Sequence, residues 1–336
     1  HYFKVPYTQG AGGLIYNIDM FAEHGWSVPT TYAELMSLSQ TIVNAQISIP
    51  DSRENVAPFA WSGSDRQYYW DYLVFEWWAQ MAGLEKVAQV IEYKGPTGSY
   101  SDGYEMFNPA TYYKEFIDAY DMWYDLIAMK PSYSAPDSYG NLLATAQAQF
   151  ANGQAAMIPY GHWGKYEIEN AVGRELDFDI AMMKTPKVSS TSPEVNYMVG
   201  FGDSMIVPEN SPNKEAAMDF LAYMATDEAC YTFVEKAEGA FLAFDYSNID
   251  LSALEANNTY IKSIHDKLTD GTNFHLSSDN PITYWNVNQV MPWIENKYYY
   301  ASACAQPANN TAAIVGASIY NRAKAGWPVW LRNAGL

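Results

Sequence analysis

The chain has 336 residues, a formal net charge of −19 and a pI near 4.5. That acidity argues against a nucleic-acid partner, whose backbone needs clustered Lys and Arg, and against direct adsorption to anionic lipid. The length allows two domains or one large one, and an apolar fraction of 49% supplies a sizeable core. No apolar run approaches the ~18 residues of a membrane span.

Aromatic residues are abundant: 28 Tyr, 14 Phe and 11 Trp. They fit either an aromatic core or a cleft lined with rings that stack on an apolar ligand face. The two cysteines, Cys230 and Cys304, have no metal-ligand spacing. They read as two buried thiols or one disulfide, and the absence of a compact disulfide framework favours thiols. The five histidines are scattered, so no metal centre and no cofactor is expected.

In chain order, residues 2–7 and 13–16 read as short extended segments separated by glycines. Asp19–Glu23 is a helical turn ending near Gly25. Thr31 and Glu34 form a capping box that opens a helix to about Ala45, with Leu35, Leu38 and Ile42 on its buried stripe. Val56–Trp61 reads as a strand, followed by a loop at Ser62–Asp65. Arg66–Ala82 is a long aromatic helix closed by Gly83. Asn108-Pro109 opens a helix with Pro at its first position, on which Tyr113, Phe116, Ile117, Tyr120, Tyr124 and Ile127 recur at helical spacing.

Further on, a helix over Asn141–Phe150 leads into a strand at Ala155–Pro159, and Phe178–Met183 is extended. Residues 184–196 form a Pro/Ser/Thr crossover. Ser204–Val207 is a strand, and Ser211-Pro212 precedes a helix to Met224. Helices follow at Asp227–Glu235, Leu254–Leu268, Asn288–Ala301 and Thr311–Gly326. Helices alternating with short buried strands predict an α/β protein with a mostly parallel sheet.

Four ordered segments carry a family resemblance. They are Pro6-Tyr7 through Leu35, with Gly12-Gly13-Leu14-Ile15-Tyr16-Asn17-Ile18-Asp19 at its heart; Phe150-Ala151-Asn152-Gly153-Gln154-Ala155-Ala156-Met157 with Gly161-His162-Trp163; Gly200 through Ala217, especially Ser211-Pro212-Asn213-Lys214-Glu215-Ala216-Ala217; and Phe220–Met224 with Thr226-Asp227-Glu228. Together they resemble the extracellular solute-binding proteins of ABC importers, the sugar-binding class that includes maltose-binding protein. The resemblance spans most of residues 1–240. It implies an α/β, periplasmic-binding-protein-like two-lobe fold of type II, with ligand held in the cleft between lobes. Residues 1–9 map to the hinge, 10–185 with 275–336 to the second lobe, and 186–274 to the remaining part of the first lobe and the crossovers. The first segment lies well inside the chain in that family, so the first lobe is expected to be incomplete here. Helix Ala216–Met224 should then expose apolar surface.

Candidate ligand-binding residues follow from this map. Trp163, just beyond a strand in a Gly-x-Trp loop, falls where the family places an aromatic sugar platform. Tyr160 and His162 flank it and could donate hydrogen bonds. Trp61 ends a strand and leads into Asp65 and Arg66, a platform with adjacent hydroxyl-binding groups. Thr8 and Gln9 sit at the hinge, Asp203 on a Gly-flexed loop, and Trp285 in an aromatic-polar loop. Consecutive helical residues point apart, so Tyr298-Tyr299-Tyr300 reads as packing.

The resemblance implies non-catalytic capture of a mono- or oligosaccharide and its delivery to the permease of an ABC importer. The setting is extracytoplasmic, the protein a monomer when complete, and any membrane attachment a lipid anchor outside this sequence. Two alternatives stay open. A glycoside hydrolase would need two carboxylates across the scissile bond, and nothing pairs Asp65 with Asp203 in sequence. A receptor for an amino acid, peptide or polyamine would need converging charges in the cleft.

Overall fold

The computed structural model describes residues 5–50, 52–199, 204–276 and 299–336. Its organising element is one ten-residue strand, Thr8–Asn17 (β2), which follows the short β1 (Val5–Pro6). β2 pairs antiparallel with β4 (Ala155–Gly161), β5 (Ile180–Met183), β6 (Val195–Val199) and β8 (Phe241–Leu242). β4 follows one edge, while β5 and then β6 share the other. Among the described residues only two strand pairs are parallel, β3 (Ala57–Phe59) with β4 and β6 with β9 (Thr272–Phe274). The expectation of a mostly parallel sheet is therefore corrected. Local sequence specifies a buried extended segment but not the direction of its neighbour.

The helix signals translate well where they rest on caps. Helix Tyr32–Ala45 carries the complete Thr31–Glu34 capping box and buries Leu35, Leu38 and Ile42. Helix Asp71–Ala82 ends at Gly83, whose φ of 78° is open to glycine. It begins with a tighter turn at Gln67–Trp70 rather than at Arg66. The helix expected from Pro109 starts only at Lys114, because Asn108 uses its side chain to hold the amide of Ala110 in a turn. Asn258 divides the helical stretch after Ser252 by capping a new helix, Thr259–Thr269. The C-terminal helix runs from Ala312 through Pro328 to Ala334.

Helices 71–82 and 259–269 cover opposite faces of β2. A methyl group on Gly12 would strike the Tyr72 ring, whereas one on Gly13 would approach Lys267. Where β5 and β6 part, the two helices meet in an ion pair of Glu76 and Lys267, neither of which is solvent-exposed. The core around this centre is aromatic, with Trp61, Trp70, Trp77, Trp78, Trp123 and Trp327 among its largest buried side chains.

Strands β6 and β9 pair into this large sheet, and helix 259–269 packs on it. β1 pairs with β7 (Ser204–Met205) in a separate two-stranded sheet, while helix Asp227–Ala237 packs on β8 and places Val234 in the main core, with helix Lys214–Met224 beside it. As expected, helix 214–224 exposes apolar side chains, Met218, Phe220 and Tyr223. Cys230 and Cys304 are both free thiols. Tyr299 and Tyr300 point to different partners, Ser318 and the buried Asp71.

Candidate functional site

β3, β4, β6 and β9 all run opposite to β2, so their carboxyl ends reach the edge where β2 begins. Ligand-contacting loops gather at such an edge in open α/β sheets. There a row of rings crosses the face of the sheet. Trp163, half-buried, lies over Gly161, where a β-carbon would collide with its ring. Its centroid is 6.2 Å from Tyr69, which stacks on Tyr72 at 5.4 Å and 24°. Tyr72 neighbours Tyr197 at 6.2 Å, and Tyr197 neighbours Phe274 at 5.6 Å. Tyr197 and Phe274, like Trp163, remain partly open.

The row fits because β2 presents glycine where rings descend. The Tyr72 ring occupies the space of a Gly12 side chain, and the His162 imidazole that of a Gly10 side chain. His162 is buried, stands edge-on to Trp163 at 5.0 Å and 82°, and its Nδ1 has no hydrogen-bond partner. Burial depresses its pKa to about 4, so it is a neutral buttress at neutral pH. Tyr160 is also buried. Its hydroxyl donates to Glu167 at 2.6 Å and accepts from Gln147 at 2.7 Å, and burial pushes its pKa up. Tyr160 therefore fixes the strand that carries Trp163, and its polar group is already engaged.

The remaining expected site residues fall in three places. Trp61 is 2% exposed, its Nε1 donating to Ser134 Oγ at 2.9 Å, with the ring set edge-on to Trp70 and Trp123. Asp65 accepts from Ser62 Oγ at 2.5 Å and from the amide of Leu143 at 2.9 Å, so it caps helix Leu143–Ala151. Arg66 donates to the Asp65 carbonyl at 2.9 Å and keeps its side chain 40% exposed. Thr8 shares the Gly10 and Gly12 face of β2. Gln9 points to the other face and donates to the carbonyls of Leu242 and Phe244. Asp203 and Trp285 lie outside the described residues.

The cap makes a prediction. Asp65→Ala removes an acceptor from the first turn of helix 143–151 and should cost about 1 kcal/mol in urea unfolding, whereas Asp65→Asn should retain most of it. Equal stability of Asp65→Ala and the parent chain would exclude the capping role.

Tyr69, Tyr72, Tyr197 and Phe274 were not among the sequence candidates. The available signal was the Gly10/Gly12 alternation together with Tyr69 and Tyr72 three residues apart on a helical segment.

The family model described as bacterial extracellular solute-binding protein matches residues 2–229. The chain belongs to that family. Its members bind solutes for ABC transport and are non-catalytic, which sets the hydrolase alternative aside. No curated relative matches this solute-binding protein at the sequence level. Among solved structures, apo RafE from Streptococcus pneumoniae is 19% identical with a TM-score of 0.58, over 94% of this chain and 72% of RafE. MsmE from Bacillus subtilis, in an open conformation, is 15% identical with a TM-score of 0.61, over 96% and 72% of the two chains. The sugar transporter BL01359 of Bacillus licheniformis, in complex with stachyose, is 11% identical with a TM-score of 0.53, over 93% and 73%. At these identities the likeness establishes the α/β solute-receptor fold. Among the described residues no helix is long and apolar enough to cross a membrane, and no cluster of metal-binding side chains occurs.

Proposed function

We propose that this solute-binding protein captures a carbohydrate and delivers it to the permease of an ABC importer outside the cytoplasmic membrane. The observation that carries the proposal is the set of partly open rings Trp163, Tyr197 and Phe274, joined into one row by the buried Tyr69 and Tyr72. A pyranose presents C–H groups that pack on such faces. RafE has been solved with raffinose, and another structural neighbour is a chitin oligosaccharide binding protein; both agree with a saccharide ligand. Binding would favour a closed arrangement of the lobes through contacts made only there.

Calorimetric titration with mono- and oligosaccharides tests this directly. Saturable binding without turnover is expected, and Trp163→Ala should weaken it at least tenfold, about 1.4 kcal/mol. Binding of an amino acid or polyamine, with no saccharide bound, would overturn the carbohydrate assignment.

A further inference from the structure

A cavity of about 130 Å³ opens beside Trp61, with none of the rings of the Trp163 row in its wall. Ile127, Ala128, Pro131, Pro136 and Cys304 supply apolar lining. Ile127 and Ala128 come from a widened helical turn, Tyr124–Ala128, a local irregularity that often accompanies binding sites. The wall's serines are engaged internally: Ser134 Oγ accepts from Trp61 Nε1 at 2.9 Å, and Ser138 Oγ donates to the Ala135 carbonyl at 2.8 Å. Burial pushes the Cys304 thiol up to about 12, so it stays neutral. The interior is thus apolar and poorly suited to hold water. Asp137 and Tyr139 stand exposed in the lining, where the Asp137 carboxylate is an acceptor.

We propose that this pocket binds a small single-ring apolar molecule bearing one hydroxyl, held against Trp61 with its hydroxyl toward Asp137. The size agrees: an apolar protein cavity of about 150 Å³ stays dry and accepts benzene. This inference is independent of the carbohydrate assignment.

Phenol is the probe. Titration followed by calorimetry and tryptophan fluorescence should show saturable binding at one site. Ala128→Leu, which fills the cavity, should weaken it at least tenfold, while Trp163→Ala leaves it unchanged. If Ala128→Leu does not fold, Cys304→Met fills the pocket from the opposing helix and should have the same effect. Lack of saturation, unchanged affinity in a folded filled variant, or loss of binding in Trp163→Ala would each overturn the proposal. Glycerol binding as tightly as phenol would overturn the apolar class.

Discussion

Replacing Lys267 by Met is expected to lower the unfolding free energy by about 3–5 kcal/mol, the usual cost of stranding one partner of a buried ion pair. Lys267 Nζ lies 3.1 Å from Glu76 Oε1, 3.2 Å from Oε2 and 2.9 Å from Thr185 Oγ1, with no solvent contact on either side chain. Glu76 also accepts from the Tyr197 amide at 2.8 Å, so the pair ties helix 259–269 to helix 71–82 and to β6. Burial already raises the Glu76 pKa, more than the Lys267 charge lowers it. Without the lysine, the carboxyl would take up a proton and become neutral. Two consequences separate this account from simple loss of packing. The deficit of Lys267→Met should shrink as pH falls, because a raised pKa stabilises the fold at low pH and that contribution is lost as pH rises. The double variant Glu76→Gln/Lys267→Met should recover much of the loss. Urea unfolding at pH 5 and pH 7 measures both, and a pH-independent deficit that the double variant does not reduce would sink the explanation.

The second large effect is acid sensitivity centred on His162. Its pKa is about 4 in the fold against an ordinary value of 6.5, and the cause is burial. The unfolded chain therefore binds the proton first. Stability from this residue is fully present above pH 6.5 and is lost as pH falls toward 4, by about 3 kcal/mol in all. His162→Phe keeps a ring over Gly10 without a titrating group. Between pH 7 and pH 4.5 it should lose about 2–3 kcal/mol less than the parent chain, since carboxylate titration is common to both. NMR supplies the independent check: an imidazole that titrates near 6.5 in the folded protein would remove the basis for this prediction.

Sequence was most legible where a short-range rule fixes structure. Thr31 and Glu34 announce a helix start because the cap is made within one turn, and Gly83 announces a stop because its backbone angle is open to glycine. β6 escaped notice because it follows a polar Pro/Ser/Thr stretch. Its buried Asn196 is stabilised by bonds to the Asp270 carbonyl and Asn273, partners distant in sequence. Asp65 illustrates the same limit within the candidate site. Beside Arg66 it reads as a sugar-binding group, yet besides the neighbouring Ser62 it accepts from the amide of Leu143, far along the chain. Trp163 was marked by the family pattern, but the rings that continue its row come from a helix and two further strands. Only the pairing of those elements brings them together.

β2 also dictates how the chain must assemble. Gly12 pairs with Gly161 and Thr8 with Leu242, so the strand that organises the sheet emerges from the ribosome long before its neighbours. Contacts of such sequence separation form late and slow folding, and an apolar strand with two open edges is prone to aggregate meanwhile.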